Sequence, residues 1–128
     1  MPTNTRKASG PLRYDIHSSD HWFSADAPVE FGGENSAPAP HDLLDSALAA
    51  CTSITLQMYA VRKSYPLRDA QVTITHEESK GFYKLDRKIH LIGDLTDEQR
   101  QDLLRVAEHC PIHHVLTGEI TIQTVLGE

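Results

Sequence analysis

The chain has 128 residues, of which 39% are hydrophobic and 23% charged, and its formal net charge is −6. That length suits one domain with one sizeable core, and that balance excludes a disordered chain. No Lys/Arg cluster stands out and no apolar run approaches the roughly 20 residues of a bilayer span, which argues against nucleic acid or a membrane as the main partner.

The opening stretch MPTNTRKASGPLRY is polar and broken by Gly10-Pro11. It has no apolar core, so a secretory signal is not expected there, and the cytosol is the expected compartment. Residues 1–11 read as a loose arm leading into a single domain over 1–128. Two short strand-like runs follow, 14–17 and 21–24, with Ser18-Ser19-Asp20 between them as a hairpin turn. A third short run, Val29-Glu30-Phe31, ends at Gly32-Gly33, and GGENSAPAP over 32–40 is a loop dense in Gly and Pro.

A long helix is expected from Pro40 to about Lys63. Proline suits the first helical position, where its missing N–H would be unpaired anyway, and Asp42 and Asp45 fall in the early turns that the helix dipole favours for negative charge. Leu44, Leu48, Cys51, Thr55 and Met58 share one stripe at helical spacing, widened by Leu43, Ala47, Ile54 and Val61. The middle of this helix, ALAACTSITL, carries no charge on any face. Such a helix belongs inside the protein or under a partner subunit.

Beyond the break at Pro66, the run 71–77 alternates Val72, Ile74 and His76 against Thr73 and Thr75, a half-buried strand. Ser79-Lys80-Gly81 is a turn, and 82–92 is a longer strand with Leu85, Ile89 and Leu91 as its apolar residues. Thr96-x-x-Gln99 has the form of a capping box, so a second helix starts at Thr96, with Leu103, Ala107 and Cys110 on its inner stripe. Pro111 limits that helix and opens a short turn over 112–116. A last strand is expected over 119–126, with Ile120, Ile122 and Leu126 on one face. The order of elements gives an α+β domain with a mainly antiparallel sheet, a long central helix and a second cysteine-bearing helix.

The two cysteines, Cys51 and Cys110, are 59 positions apart. In a reducing compartment such a pair is more readily catalytic or metal-binding than a permanent bridge. Two-cysteine redox chemistry needs a thiolate that attacks and a second thiol that resolves the product. Cys110 precedes Pro111 and is a natural N-cap for the short helix, where backbone amides favour a thiolate. Cys51 lies mid-helix and needs an Arg or His from another element. An inert core cysteine would occupy the same place.

The stretch Pro40-His41-Asp42-Leu43-Leu44-Asp45-Ser46-Ala47-Leu48-Ala49-Ala50-Cys51-Thr52 resembles the first motif of the OsmC/Ohr family, a proline, an acid and a Leu-rich small-residue helix running into Ala-Cys. Ala107-Glu108-His109-Cys110-Pro111-Ile112-His113 resembles its second motif, and the two fall in the right order. The resemblance, over about 22–126, implies an OsmC-like fold and an intertwined homodimer with active sites at the interface. It implies reduction of organic hydroperoxides without metal or organic cofactor, with a dithiol reductant closing the cycle. By position, Cys51 would be the peroxidatic cysteine and Cys110 the resolving one, against the backbone argument that favours Cys110 as the more activated thiol. Asp42, shorter than the glutamate of the best-studied branch, would be the site acid. Arg13 best suits the position of the family's arginine, with Arg62 and Arg87 as alternatives.

Two other readings stand beside this one. His109, His113 and His114 surround Cys110, and Cys110-x-x-His113 can supply two ligands to zinc, but a tetrahedral site needs two more and no second pair stands nearby at metal spacing. The same fold could instead bind an apolar ligand with both cysteines inert. Trp22, Phe23, Phe31, Met58 and Phe82 would then line the pocket.

Overall fold

A computed structural model describes residues 2–127. The chain groups into two compact units, Met1–Leu44 and Asp45–Glu128. Both are built on antiparallel sheets, and a long helix joins them.

The first unit is a three-stranded sheet in the order β1 (Thr3–Lys7), β2 (Tyr14–Ser18), β3 (His21–Ala25). The hairpin turn is where the sequence puts it, with Ser18 paired to His21 and Ser19 in the left-handed region at φ 53°. The loose arm expected over 1–11 is corrected to a strand over Thr3–Lys7. This strand pairs residue by residue with β2 from Thr3↔Ser18 to Lys7↔Tyr14, and backbone pairing of this kind needs no apolar pattern. Side chains reinforce it: the Arg6 guanidinium lies 4.4 Å over the Trp22 ring, and His17 stacks on that ring at 4.5 Å.

The expected third run is also corrected. Val29–Phe31 is a single 3-10 turn, entered from extended Pro28 and closed by Gly32 at φ 95°, a conformation that glycine adopts without strain. The loop that follows closes on Asp26, which is buried. Its carboxylate accepts from the amides of Ala27 (2.7 Å), Glu34 (3.3 Å) and Ser36 (3.0 Å) and from the Ser36 hydroxyl (2.6 Å). Led by the Ser36 hydroxyl and then its amide, and against the opposing effect of burial, these bonds hold the Asp26 carboxyl down to about 2.

Helix α1 (Pro40–Lys63) has the expected bounds. Asp42 accepts from the Ala39 amide at 3.1 Å, satisfying a donor at the helix start. At the other end Ser64 turns left-handed at φ 59°, and the Tyr65 amide returns to Ala60 O. The buried stripe is Leu48, Thr52, Leu56 and Ala60, one position round from the expected one. Leu44 and Met58 are exposed, and Cys51 flanks the buried face.

In the second unit, β4 (Leu67–Ser79) and β5 (Phe82–Gly93) form a long hairpin closed by Ser79↔Phe82. Along β5 the sequence alternates exposed and half-buried, so Tyr83, Leu85, Arg87, Ile89 and Leu91 share the inner face. Helix α2 (Asp97–Ala107) starts with both halves of the capping box, Gln99 N to Thr96 Oγ1 at 3.1 Å and Thr96 N to Gln99 Oε1 at 3.0 Å. Arg100 ties its first turn to the end of β5 through Leu91 O and Gly93 O, each at 3.1 Å. Between helices and hairpin, Leu56, Ala60, Leu67, Ala70, Leu95, Leu103 and Ala107 make the core. At its edge Asp102 accepts from Tyr59 (2.8 Å) and Tyr65 (2.6 Å), and that bond pushes the Tyr65 phenol up to about 12.

Helix α3 (Pro111–Thr117) is the short turn opened by Pro111. The strand expected over 119–126 does not form. This segment has no paired partner among the described residues and exposes Ile120, Ile122, Val125 and Leu126. An alternating apolar pattern makes a strand only where another strand offers its edge.

Candidate active site

Three elements of the second unit bring the two cysteines together. Cys51 projects from the middle of α1, half-buried; Cys110 stands at the junction of α2 and α3 with its side chain fully buried. The first turn of α3 gives one amide to each sulfur: Ile112 N–H to Cys51 Sγ at 3.5 Å and His113 N–H to Cys110 Sγ at 3.3 Å. Cys110 thus acts as the N-cap of α3, as its place before Pro111 suggests. The two amides belong to adjacent residues of one turn, so thiols 59 positions apart in sequence are held at the same helix start.

The third element is β5, which supplies Arg87. Its Nη1 donates to Thr52 Oγ1 at 3.1 Å and lies 4.0 Å from Cys110 Sγ. Its Nη2 donates to Glu108 Oε2 at 3.1 Å and to His113 Nδ1 at 2.9 Å. Because a guanidinium only donates, Nδ1 is the acceptor in this contact. Thr52 Oγ1 donates to Leu48 O at 2.7 Å and stands 3.9 Å from Cys110 Sγ. Its single proton can serve either, and the shorter bond is the one to the carbonyl.

Burial pushes the Cys110 thiol up. The His113 amide, the Cys51 thiol, the Thr52 hydroxyl and, last, the Arg87 charge together pull harder, so Cys110 is held below the ordinary thiol value. This arrangement favours negative charge on the Cys110 sulfur and leaves a more accessible thiol on the adjacent amide.

Arg87, Glu108 and His113 also wall a cavity of about 470 Å³. Leu48, Phe82 and Leu85 give it an apolar side. Two of its lining residues, Arg87 and His113, also reach Cys110 Sγ. The cavity is thus roomy enough for an organic molecule and carries a few convergent polar groups.

The other residues singled out by sequence lie as follows. Asp42 is bonded at the start of α1. Arg13 in the first unit donates to Ser36 O, Ser36 Oγ and Ser24 Oγ, each at 3.2 Å. Of the five aromatic and apolar candidates for a pocket wall, all are exposed; Phe82 lines the cavity beside Arg87, Met58 a second of about 480 Å³ along α1, and Trp22 and Phe23 a third of about 250 Å³. Among the described residues no three His, Cys, Asp or Glu side chains converge to hold a metal ion. Sequence reasoning gave Arg87 only as an alternative and passed over Thr52. The signal for Arg87 is its phase: it falls in register with Leu85, Ile89 and Leu91, where a charge facing inward needs a partner.

Fold and site together define an α+β protein that sets a thiol pair against a long helix. The chain belongs to the OsmC family: residues 33–125 match the model of the OsmC-like protein family. Solved structures share the fold. A Psychrobacter arcticus protein described as an osmotic stress induced and detoxification response protein is 21% identical, with a TM-score of 0.76, over 88% of this chain and 85% of that one. A Vibrio cholerae candidate organic hydroperoxide resistance protein, solved with captopril in one of its active sites, is 25% identical with a TM-score of 0.65 over 96% and 89%. The organic hydroperoxide resistance protein OhrB of Bacillus subtilis is 24% identical with a TM-score of 0.58 over 91% and 90%. No curated protein matches the chain.

Proposed function

We propose that this chain is a thiol peroxidase that reduces organic hydroperoxides through a Cys51–Cys110 sulfenate and disulfide cycle. The observation that carries the reading is that both sulfurs accept from adjacent amides of one helical turn. Cys51, the more accessible, attacks the terminal peroxide oxygen; the O–O bond breaks, an alcohol leaves and Cys51 becomes a sulfenic acid. Cys110 then attacks that sulfur, an S–S bond forms and the hydroxyl leaves as water. A dithiol from another molecule reduces the disulfide.

The mixed lining of the cavity favours an alkyl over an inorganic peroxide. Arg87 takes the arginine's place beside the sulfur, on the strength of its 4.0 Å approach. Arg13 and Asp42 enter as supports whose effects are separable by substitution. A homodimer is part of the reading. Ile54, Met58 and Val61, one stripe of α1, are 59%, 57% and 70% exposed, and the apolar residues of 119–126 have no strand beside them. A reducing compartment such as the cytoplasm suits two free thiols. No helix among the described residues is long and apolar enough to cross a membrane.

The test exposes reduced protein to one equivalent of an alkyl hydroperoxide or of hydrogen peroxide, following thiols, intact mass and residual peroxide. Loss of both thiols to an intramolecular disulfide is expected, faster with the alkyl peroxide and abolished by Cys51→Ser. Surviving thiols and unconsumed peroxide would make the chain a binding module of the same fold.

A further inference from the structure

The inner face of β5 carries Tyr83, Leu85 and Arg87 in turn, each two residues from the next. At the usual strand rise, Tyr83 and Arg87 stand about 13 Å apart along that face, with Leu85 between them. All three line the cavity. Arg87 marks the end that reaches Cys110, and Tyr83, next to the hairpin end at Phe82, marks the other. The cavity therefore has a polar end beside the thiol site and an aromatic end away from it.

Tyr83 is held from two other elements. Its hydroxyl donates to Asp45 Oδ1 of α1 at 3.1 Å, and the other oxygen of that carboxylate accepts from His76 Nδ1 of β4. The His76 ring stacks on the Tyr83 ring with centroids 5.1 Å apart. The register permits this, since Glu78 is opposite Tyr83 and His76 is the diagonal neighbour on the same face. The Asp45 side chain is 14% exposed, so water competes weakly for the bonds it accepts. A ring fixed at its hydroxyl and across one face cannot swing aside freely. Asp45 lies outside the cavity lining, and a hydroxyl committed to it leaves the ring carbons as the surface that Tyr83 offers a ligand.

We propose that Tyr83 is a specificity-determining residue for the peroxide reduction, the fixed far wall of the substrate cavity, and that Asp45 and His76 are the positioning residues that fix it. The inference rests on the peroxidase reading and deepens it by naming the substrate class: hydroperoxides with a compact apolar body, aryl or branched alkyl, that fits between Arg87 and Tyr83. The peroxide oxygens then lie toward Arg87, and the body packs on Leu48, Leu85 and the Tyr83 ring. An extended decyl chain is longer than the gap left between two side chains whose backbones are about 13 Å apart. Such a chain meets the ring end-on, and a ring held by Asp45 and His76 does not yield to it.

The test compares steady-state turnover of cumene hydroperoxide and decyl hydroperoxide in wild type, Tyr83→Ala, Tyr83→Leu and Asp45→Ala, with circular dichroism to verify folding. Wild type is expected to favour cumene hydroperoxide in kcat/KM. Tyr83→Ala should move the ratio of the two substrates toward the decyl one by about tenfold or more, as a changed apolar contact can. It should do so by raising KM for cumene hydroperoxide with kcat held. Tyr83→Leu should act in the same direction to a smaller extent, and it carries the test if the alanine variant does not fold. Asp45→Ala should raise the same KM and add nothing in the double variant with Tyr83→Ala, because it acts through that ring. A wild type that favours the decyl substrate, an unmoved ratio in a folded Tyr83 variant, or an equal fall in kcat with both substrates overturns the proposal. Calorimetric binding of cumyl alcohol, which carries no peroxide, is read in parallel and should weaken in Tyr83→Ala. If wild type consumes neither peroxide but binds that alcohol through Tyr83, the peroxidase reading fails and the wall stands. If peroxide is consumed and the alcohol binds equally in wild type and Tyr83→Ala, the wall fails and the peroxidase reading stands.

Discussion

In the first unit the loop over 26–36 closes on the carboxylate of Asp26, whereas the second unit closes on Leu56, Leu103 and Ala107. Asp26 and Gly33 are the buried residues described in the first unit; the second has a contiguous apolar cluster and, at its margin, a buried sulfur. A charge-centred fold depends on its hydrogen bonds being present and on pH, since an unsatisfied buried polar group is costly. A volume-centred fold depends on shape and tolerates pH but not truncation. The thiol pair sits in the unit of the second kind, where packing holds side chains in register and low polarity strengthens each contact of the guanidinium.

The comparison can be broken most sharply in the apolar core. Leu103 is fully buried, and Leu103→Ala is expected to cost about 2–5 kcal/mol by lost transfer and a cavity. The check is the shift of the urea midpoint at neutral pH, with a similar shift in acid. Asp26→Asn addresses the other unit. The folded Asp26 carboxyl is depressed to about 2 from an ordinary 3.8. Its stabilisation is therefore full above the ordinary value and is lost as pH falls through about 2. Wild type should show an acid transition in that window by circular dichroism, and Asp26→Asn should be weaker at neutral pH with that transition reduced.

Arg87→Gln tests whether the margin of the second unit is electrostatic in its chemistry. Turnover of an alkyl hydroperoxide, as kcat/KM, is expected to fall about tenfold or more. Arg13→Gln and Asp42→Asn are expected to cost less, and a larger loss in either would move the arginine or acid role to that residue. The smallest effect is at the capping box. Thr96→Ala should cost about 1 kcal/mol in unfolding free energy, read as a shift of the urea midpoint.

What the sequence made legible follows the same division. Helix α1 was readable end to end because its signals are local: Pro40 at its start, no Gly or Pro within it, and no charge in its middle. The capping box at Thr96 and the cap at Cys110 were readable for the same reason. Strand β1 was hidden because its pairing with β2 is a backbone property that its polar side chains do not display. The run 119–126 misled in the opposite sense, as its alternation states which face is apolar and is silent on what covers it. Arg87 was visible as an arginine, and its alternation with Leu85 and Ile89 marks it as inward-facing. Its partners come from α1, α2's end and α3, and no local pattern connects them.

Helix α3 begins on a sulfur where most helices begin on an oxygen. The bond from His113 N–H that orders its first turn is the same bond that lowers the proton affinity of Cys110. By linkage, the folding of those seven residues and the ionisation of that thiol are one equilibrium observed from two sides. Anything that discharges the sulfur, whether protonation or oxidation to the disulfide, withdraws part of the free energy that winds the helix. Amide exchange along Pro111–Thr117 would then register the oxidation state of the thiol pair directly, with no substrate present.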